Sequence, residues 1–401
     1  MTVVAIISEY NPFHSGHKYQ IDKIRAEFGD DTAIIAIMSG NYTQRGEAAI
    51  IPKDYRSKAA ILSGVNLVLE LPFPFSSSSA EIFAKSGVKI AESIGIVDRL
   101  SFGSESGDIE SIIKATEVID SKEYTEAFKS LSEKKELGYP KRCGIAFGMS
   151  GGNGNFSFTP NNILAIEYVR AIKYFDSKII PHTIKRYGAD YLNDESNLTE
   201  GHQSAMAIRK CINDGTKDYY DFIPEHTHTI IEDAIKNGDA PTDIEKLSYA
   251  IISNFRLNSP QPQKEYHDAG DGLYNRLYNL SFKANNLKTL LMQSDSKTYT
   301  QARLRRAILN CYFGVTSSDV KSLPSYTRVL GMDNVGMQLL KLMRKKSKIP
   351  ILSKHSDSKM LNNEQLRIKD ISDRADSVFE LTKPSPKSGN SHMTFTPFVK
   401  K

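Results

Sequence analysis

Four short apolar runs rich in Val and Ile, separated by longer amphipathic stretches, constrain this chain more than any other feature. The runs "TVVAII" (2–7), "AIIAIM" (33–38), "NLVLEL" (66–71) and "RLSFG" (99–103) read as strands, and helix-like segments fill about 17–28, 52–63 and 76–94 between them. Gly29, Gly64 and Gly95 stand where those helices should stop, because glycine takes the left-handed backbone of a helix end without a Cβ clash. The strands are apolar throughout instead of alternating. Both faces are therefore expected to be covered, which means a parallel sheet between two layers of helix. Sheets of this kind bind ligands beyond the carboxyl ends of their strands, so the loops that follow the runs are where chemistry is sought.

Farther on, "TPNNILAIEYVRAIKYF" reads as a helix with Pro160 near its start, "KIIPHTIKRYG" as a strand and turn, and "HQSAMAIRKCIND" as a helix that Ser204 caps. This α/β domain, Rossmann-like, is expected over 1–220. Strand patterns then thin out, and 221–382 reads as a mainly helical domain followed by a poorly patterned tail at 383–401. Charge is divided along the chain as well. Residues 1–250 carry 27 Lys and Arg against 35 Asp and Glu, while 251–401 carry 25 against 12, so a basic appendage suited to a polyanion follows an acidic body. Cys143, Cys211 and Cys311 lie far apart with no CxxC spacing, which argues against a disulfide framework or a zinc site. No apolar run approaches the roughly 18 residues of a membrane span and no basic leader opens the chain, so a cytoplasmic protein is expected.

The first of the loops holds "EYNPFHSGHKYQ" (9–20), with His14 and His17 either side of Ser15 and Gly16. A loop running from a strand into a helix directs backbone N–H groups and the positive end of the helix dipole at whatever lies above it, which suits phosphate. Gly16 allows close backbone approach, and the two imidazoles can donate to phosphate oxygens whose charge grows as an α-phosphate is attacked. Histidines near a helix start also suit capping or core packing. The position after the first strand, opening a helix, favours the nucleotide reading, and no third ligand at a companion spacing favours zinc.

"FHSGH" resembles the H-x-G-H signature of the nucleotidyltransferase superfamily. The longer "EYNPFHSGHKYQI", with "IMSGNYTQRGEAAIIPKDYRSKAAILSGVNLVLELPF", "FGSESGD", "PNNILAIEYVRA", "TIKRYGADY" and "SAMAIRK" in order, resembles the bacterial tRNA(Met) cytidine acetate ligase family from residue 3 to about 210. The resemblance implies activation of acetate by ATP, with magnesium and without acetyl-CoA, to acetyl-adenylate. The acetyl group then passes to N4 of the wobble cytidine of elongator tRNA(Met). It implies an ATP loop made of Ile7, Ser8, Glu9, Tyr10, Asn11, Pro12, Phe13, His14, Ser15, Gly16, His17, Lys18, Tyr19 and Gln20, with further nucleotide contacts at Gly103, Asn161 or its neighbour Asn162, and Arg186. His14 and His17 are then the catalytic pair and no resident metal site is implied.

On local grounds the asparagines suit capping of the helix they precede, and Arg186 suits either phosphate or a surface ion pair. Ser104 and Glu105 are candidate polar contacts, Arg45 suits phosphate or RNA, and Ser204 with Arg209 suits a triphosphate. Arg303, Arg305 and Arg306, and farther on Arg344, Lys345 and Lys346, form the basic clusters expected to meet tRNA phosphates. No membrane and no obligate protein partner is expected. Two rival readings share the histidine pair: a small-metabolite adenylyltransferase or carboxylate-activating ligase, and a non-catalytic nucleotide-sensing RNA-binding protein.

Overall fold

All four apolar runs become strands within one residue of their expected bounds: β1 (Val3–Ser8), β2 (Ala33–Ser39), β3 (Leu67–Leu71) and β4 (Arg99–Ser104). A fifth, β5 (Ile180–Lys185), comes from "KIIPHTIKRYG". In this computed structural model, which describes residues 1–131, 137–153, 156–186, 205–260, 265–296 and 298–401, they pair in the order β5-β4-β1-β2-β3, all parallel. Sequence order reverses between β1 and β4, so the loops leaving those two strands flank one crevice at the carboxyl edge of the sheet.

Every residue of β1, β2 and β3 is buried because both faces are covered. Val3, Ala5 and Ile7 face the core shared with helices Ala80–Ser93 and Pro160–Tyr174, whereas Val4 and Ile6 face Ile21 and Ile24 of helix Ser15–Phe28 and Ala59–Ile61 of helix Lys53–Leu62. The three expected stop glycines have φ values of +100°, +108° and +72°, in the range where only glycine is unstrained.

The C-terminal part is mainly helical, with helices Ser248–Leu257, Leu273–Ser281, Leu287–Ser294 and Gln301–Phe313 sharing their own apolar cluster. It also returns to the sheet. β6 (Thr327–Met332) is wholly buried and pairs antiparallel with β3, Leu67 opposite Met332 and Val68 opposite Gly331. Short β7 (Ile351–Leu352) and β8 (Phe398–Val399) lie on the outer side of β6. "TRVLGM" sends Val329 into one core and Leu330 into the other, an apolar pattern on both faces that marks a covered strand. The segment from Lys383, unpatterned in sequence, is anchored by charge: Lys383 and Lys387 lie 3.0 and 2.7 Å from the two oxygens of buried Asp239.

A buried ionic cluster ties helix Asn363–Phe379 to the strands. Lys53 Nζ lies 2.5 Å from both Glu70 at the end of β3 and Asp376 on that helix, while Arg328 of β6 lies 3.1 Å from Asp373, which also pairs with Lys369. Three cations and three carboxylates neutralise one another here, and the amide of Asn41 donates to Asp376 at 2.9 Å. Pairing is what permits such burial, since an uncompensated charge in the same place is strongly destabilising.

Candidate active site

The histidine loop leaves β1 through Tyr10, which holds a left-handed φ of +47° although it is not glycine, a strained conformation that surrounding structure must impose. Arg56 supplies much of that constraint. Its fully buried guanidinium donates to the carbonyls of Glu9 (2.7 Å), Ser39 (3.0 Å), Ile51 (3.0 Å) and Gly40, tying the ends of β1 and β2 together. Glu9 in turn accepts the Gln44 N–H at 2.8 Å. Burial raises its carboxyl despite that bond and the nearby Arg209 and Arg56. Asn11 accepts from Ile50 N–H at 2.8 Å through its side chain and from Arg209 at 2.9 Å through its carbonyl.

His14 is the N-cap of helix Ser15–Phe28, so capping and the phosphate reading meet in one residue. His14 Nδ1 accepts the Gly16 N–H at 3.0 Å, and His17 Nδ1 accepts the His14 N–H at 3.2 Å. A neutral imidazole with Nδ1 accepting carries its proton on Nε2, so the reciprocal cap sets both tautomers and makes each Nε2 a donor. The backbone donors expected to face a phosphate are partly consumed by the rings. Burial holds His17 well below the ordinary histidine range, and the nearness of His14 and Arg186 acts in the same direction; the ring is neutral at pH 7. The two rings stack with centroids 3.8 Å apart, and Tyr10 meets His17 edge-on at 4.8 Å. Gly16 has a second reason to be glycine: a Cβ there would sit 2.9 Å from the His14 ring.

Across the crevice, Gly103, Asn161 and Arg186 come together. A Cβ on Gly103 would lie 3.2 Å from the Arg186 side chain, and Arg186 N–H bonds Ser104 O at 2.9 Å. Arg186 Nη1 donates to Asn161 Oδ1 at 3.3 Å, while Asn161 Nδ2 and Thr159 Oγ1 both donate to Glu105 at 2.6 Å. The helix cap is Thr159, not either asparagine. Asn162 turns the other way and holds the loop, its Oδ1 accepting Glu105 N–H at 3.1 Å. Ser104 is occupied with Thr183 at 2.7 Å.

Other expected residues lie elsewhere. Lys18 pairs with Asp22 along the helix, and Gln20 reaches Ser101 of β4 at 3.3 Å. Arg45 is exposed at the tip of the hairpin after β2. Ser204 falls outside the described residues. Arg306 is buried, 2.7 Å from Asp268, and Arg303 and Arg305 pair with Asp271 (3.0 Å) and Glu47 (3.1 Å). This cluster is largely internal: a Cβ on Gly46 (φ +74°) would meet Arg306 N at 2.7 Å, so the hairpin rests directly on helix Gln301–Phe313. Arg344, Lys345 and Lys346, by contrast, are exposed in the last turn of helix Asn334–Lys346. Sequence reading missed Arg56 and the Lys53 cluster: Lys53, Arg56, Lys369, Asp373 and Asp376 sit in helical sequence that is charged throughout, and only Glu70 and Arg328 interrupt apolar strands. Among the described residues no group of three or more His, Cys, Asp or Glu is placed to hold a metal ion, and no helix is long and apolar enough to cross a membrane.

A 3-2-1-4-5 parallel sheet with a histidine-capped helix at its switch point defines a nucleotidyltransferase-type protein. The HIGH Nucleotidyl Transferase family matches residues 1–393. A tRNA(Met) cytidine acetate ligase of Caldanaerobacter subterraneus subsp. tengcongensis is 36% identical over 362 residues, covering 88% of this chain and 89% of its own. One from Clostridium perfringens is 35% identical over 418 residues with both chains fully covered. Among solved structures, Thermotoga maritima TmcAL bound with alpha-thio ATP superposes with a TM-score of 0.89 at 30% identity, covering 100% of this chain and 99% of that one. Its apo form gives 0.91. The chain belongs to the HIGH nucleotidyl transferase family and, within it, to the tRNA(Met) cytidine acetate ligases.

Proposed function

We propose that this protein is an ATP-dependent acetate ligase that acetylates N4 of the wobble cytidine of elongator tRNA(Met). The observation that carries the reading is full-length likeness to ligases of that name in a chain whose histidine pair is intact and held as a pair of Nε2 donors. ATP lies over the histidine loop from Ile7 to His17, with Gly103, Asn161 and Arg186 on the other wall of the crevice. Magnesium arrives with ATP, bound mainly by phosphates and water as that ion prefers.

An acetate oxygen attacks the α-phosphorus and the bond to the β-phosphate oxygen breaks, releasing pyrophosphate. His14 and His17 stabilise the charge that builds on the phosphate oxygens, and a preorganised donor of this kind accounts for about 10²–10³ in rate. The cytosine amine then attacks the acetyl carbonyl carbon. The carbon–oxygen bond to AMP breaks and the nitrogen loses a proton. No protein nucleophile is required, because positioning and charge stabilisation suffice. An unpaired anticodon loop makes extrusion of the base inexpensive.

The test is incubation with ATP, magnesium, labelled acetate and unmodified elongator tRNA(Met), followed by nucleoside analysis. ATP-dependent N4-acetylcytidine, with AMP and pyrophosphate released, is expected. Labelled acetyl-CoA in place of acetate and ATP should give none. An unlabelled RNA with ATP still consumed on adding acetate would turn the assignment to a small-metabolite ligase.

A further inference from the structure

Beside the histidine loop opens a cleft of roughly 1050 Å³, bounded by the hairpin after β2, helix Ala205–Asp214, residues 241–245, and helices Leu287–Ser294 and Gln301–Phe313. Its inner wall is built from the loop's own partners. Arg209, which lines the cleft, donates to Asn11 O at 2.9 Å, and Ile50, also in the lining, donates its N–H to Asn11 Oδ1 at 2.8 Å. Arg209 and Glu47 are both near enough to Glu9 to influence its carboxyl. The cleft and the phosphate loop are thus adjacent compartments sharing one wall.

Its chemistry differs from that of a phosphate site. Leu291 and exposed Met292 give it apolar surface, while carboxylates of Glu47, Asp243 and Glu245 stand among the cations Arg209, Lys288 and Arg305. Arg305 is tied to Glu47 at 3.1 Å. Such a mixture disfavours a run of phosphates. It suits a nucleobase, whose faces take apolar contact and whose exocyclic amine, in cytosine, is a donor that carboxylates accept. The volume lies at the upper end of ligand pockets, which run to about 1000 Å³, so there is room for an unstacked nucleotide and part of its neighbours.

We propose that this cleft receives the unpaired acceptor base of the RNA and presents its amine to the acetyl group held at the histidine loop. The inference rests on the function proposed above. It is tested with Leu291→Trp, which fills the apolar wall, and Lys288→Glu, an exposed position whose substitution leaves the core untouched. Acetate-dependent ATP–pyrophosphate exchange should stay within about twofold of the parent protein. Acetylation of elongator tRNA(Met) at subsaturating RNA should fall by about 10-fold or more, in the range that base contacts contribute. Unchanged kcat/KM for RNA in both variants overturns the assignment. Loss of exchange in Leu291→Trp would mark a folding defect and leave the decision to Lys288→Glu. A parent protein that exchanges pyrophosphate yet never acetylates tRNA would refute the function itself, and is distinguishable from variants that acetylate as well as the parent does.

Discussion

His14 performs two tasks that substitution can separate. His14→Asn keeps a side-chain acceptor for the Gly16 N–H, because asparagine is among the best N-caps, but removes the Nε2 donor. Melting temperature should stay within a few degrees while acetate-dependent pyrophosphate exchange falls about 10²–10³-fold. His14→Ala should lose the same activity and a further ~1 kcal/mol of stability on urea unfolding. Gly16→Ala drives a methyl to within 2.9 Å of the His14 ring and should cut exchange with little change in stability. His17 titrates below its unfolded value. Its contribution to stability is therefore complete above about pH 6.5 and is lost as pH falls through that value toward the folded one, with a slope of at most ~1.4 kcal/mol per pH unit. His17→Gln should flatten the acid side of the stability profile measured by denaturant titration. The motif itself was legible from its place after a strand and at a helix start. The tautomer lock was not, because histidine is an unusual cap and nothing in the spacing announces two reciprocal bonds.

At the scale of elements, strands and stops were readable where the local pattern is strong. β1 to β4 stand out because burial on both faces leaves uninterrupted Val and Ile, and the glycines close the helices between them. β6 escaped notice because six residues of "TRVLGM" are embedded in helical sequence and pair with a strand some 260 positions earlier, a distance at which periodicity says nothing. The basic clusters also differ in a way composition hides. Arg306 is buried against Asp268, so Arg306→Ala should destabilise the fold by about 3–5 kcal/mol, as breaking a buried pair does, and any loss of RNA binding would follow from that. The exposed end of helix Asn334–Lys346 offers the cleaner test. Replacing Arg344, Lys345 and Lys346 together by Glu should leave melting and pyrophosphate exchange unchanged while weakening tRNA binding. The slope of log affinity against log salt should become shallower by about 2–3. Equal affinity and slope in filter binding would remove that helix end from the RNA surface.

Across the whole molecule, charge and sheet both join the first seventy residues to the last quarter. Lys53→Met leaves buried Glu70 and Asp376 with the more distant Arg328, 3.8 and 4.0 Å away, in place of a cation at 2.5 Å and should cost about 3–5 kcal/mol in denaturant unfolding; the conservative Lys53→Arg should recover part of it. The separation of acidic and basic halves was visible in composition, yet it suggested two bodies, whereas the shared core runs from Val3 to Phe379. Sequence reading had no way to see that, because partners 323 positions apart carry no local mark. The same separation has a cost in time. At ribosomal speeds of about 5–20 residues per second, Lys53 emerges roughly 15 to 60 s before Asp376. During that interval the histidine loop exists as sequence, but the buried lysine at the carboxyl edge of its sheet lacks one of its two carboxylates. Activity should therefore arise late in synthesis, after helix Asn363–Phe379 has docked, and the half-made chain is the state most exposed to chaperones and proteases.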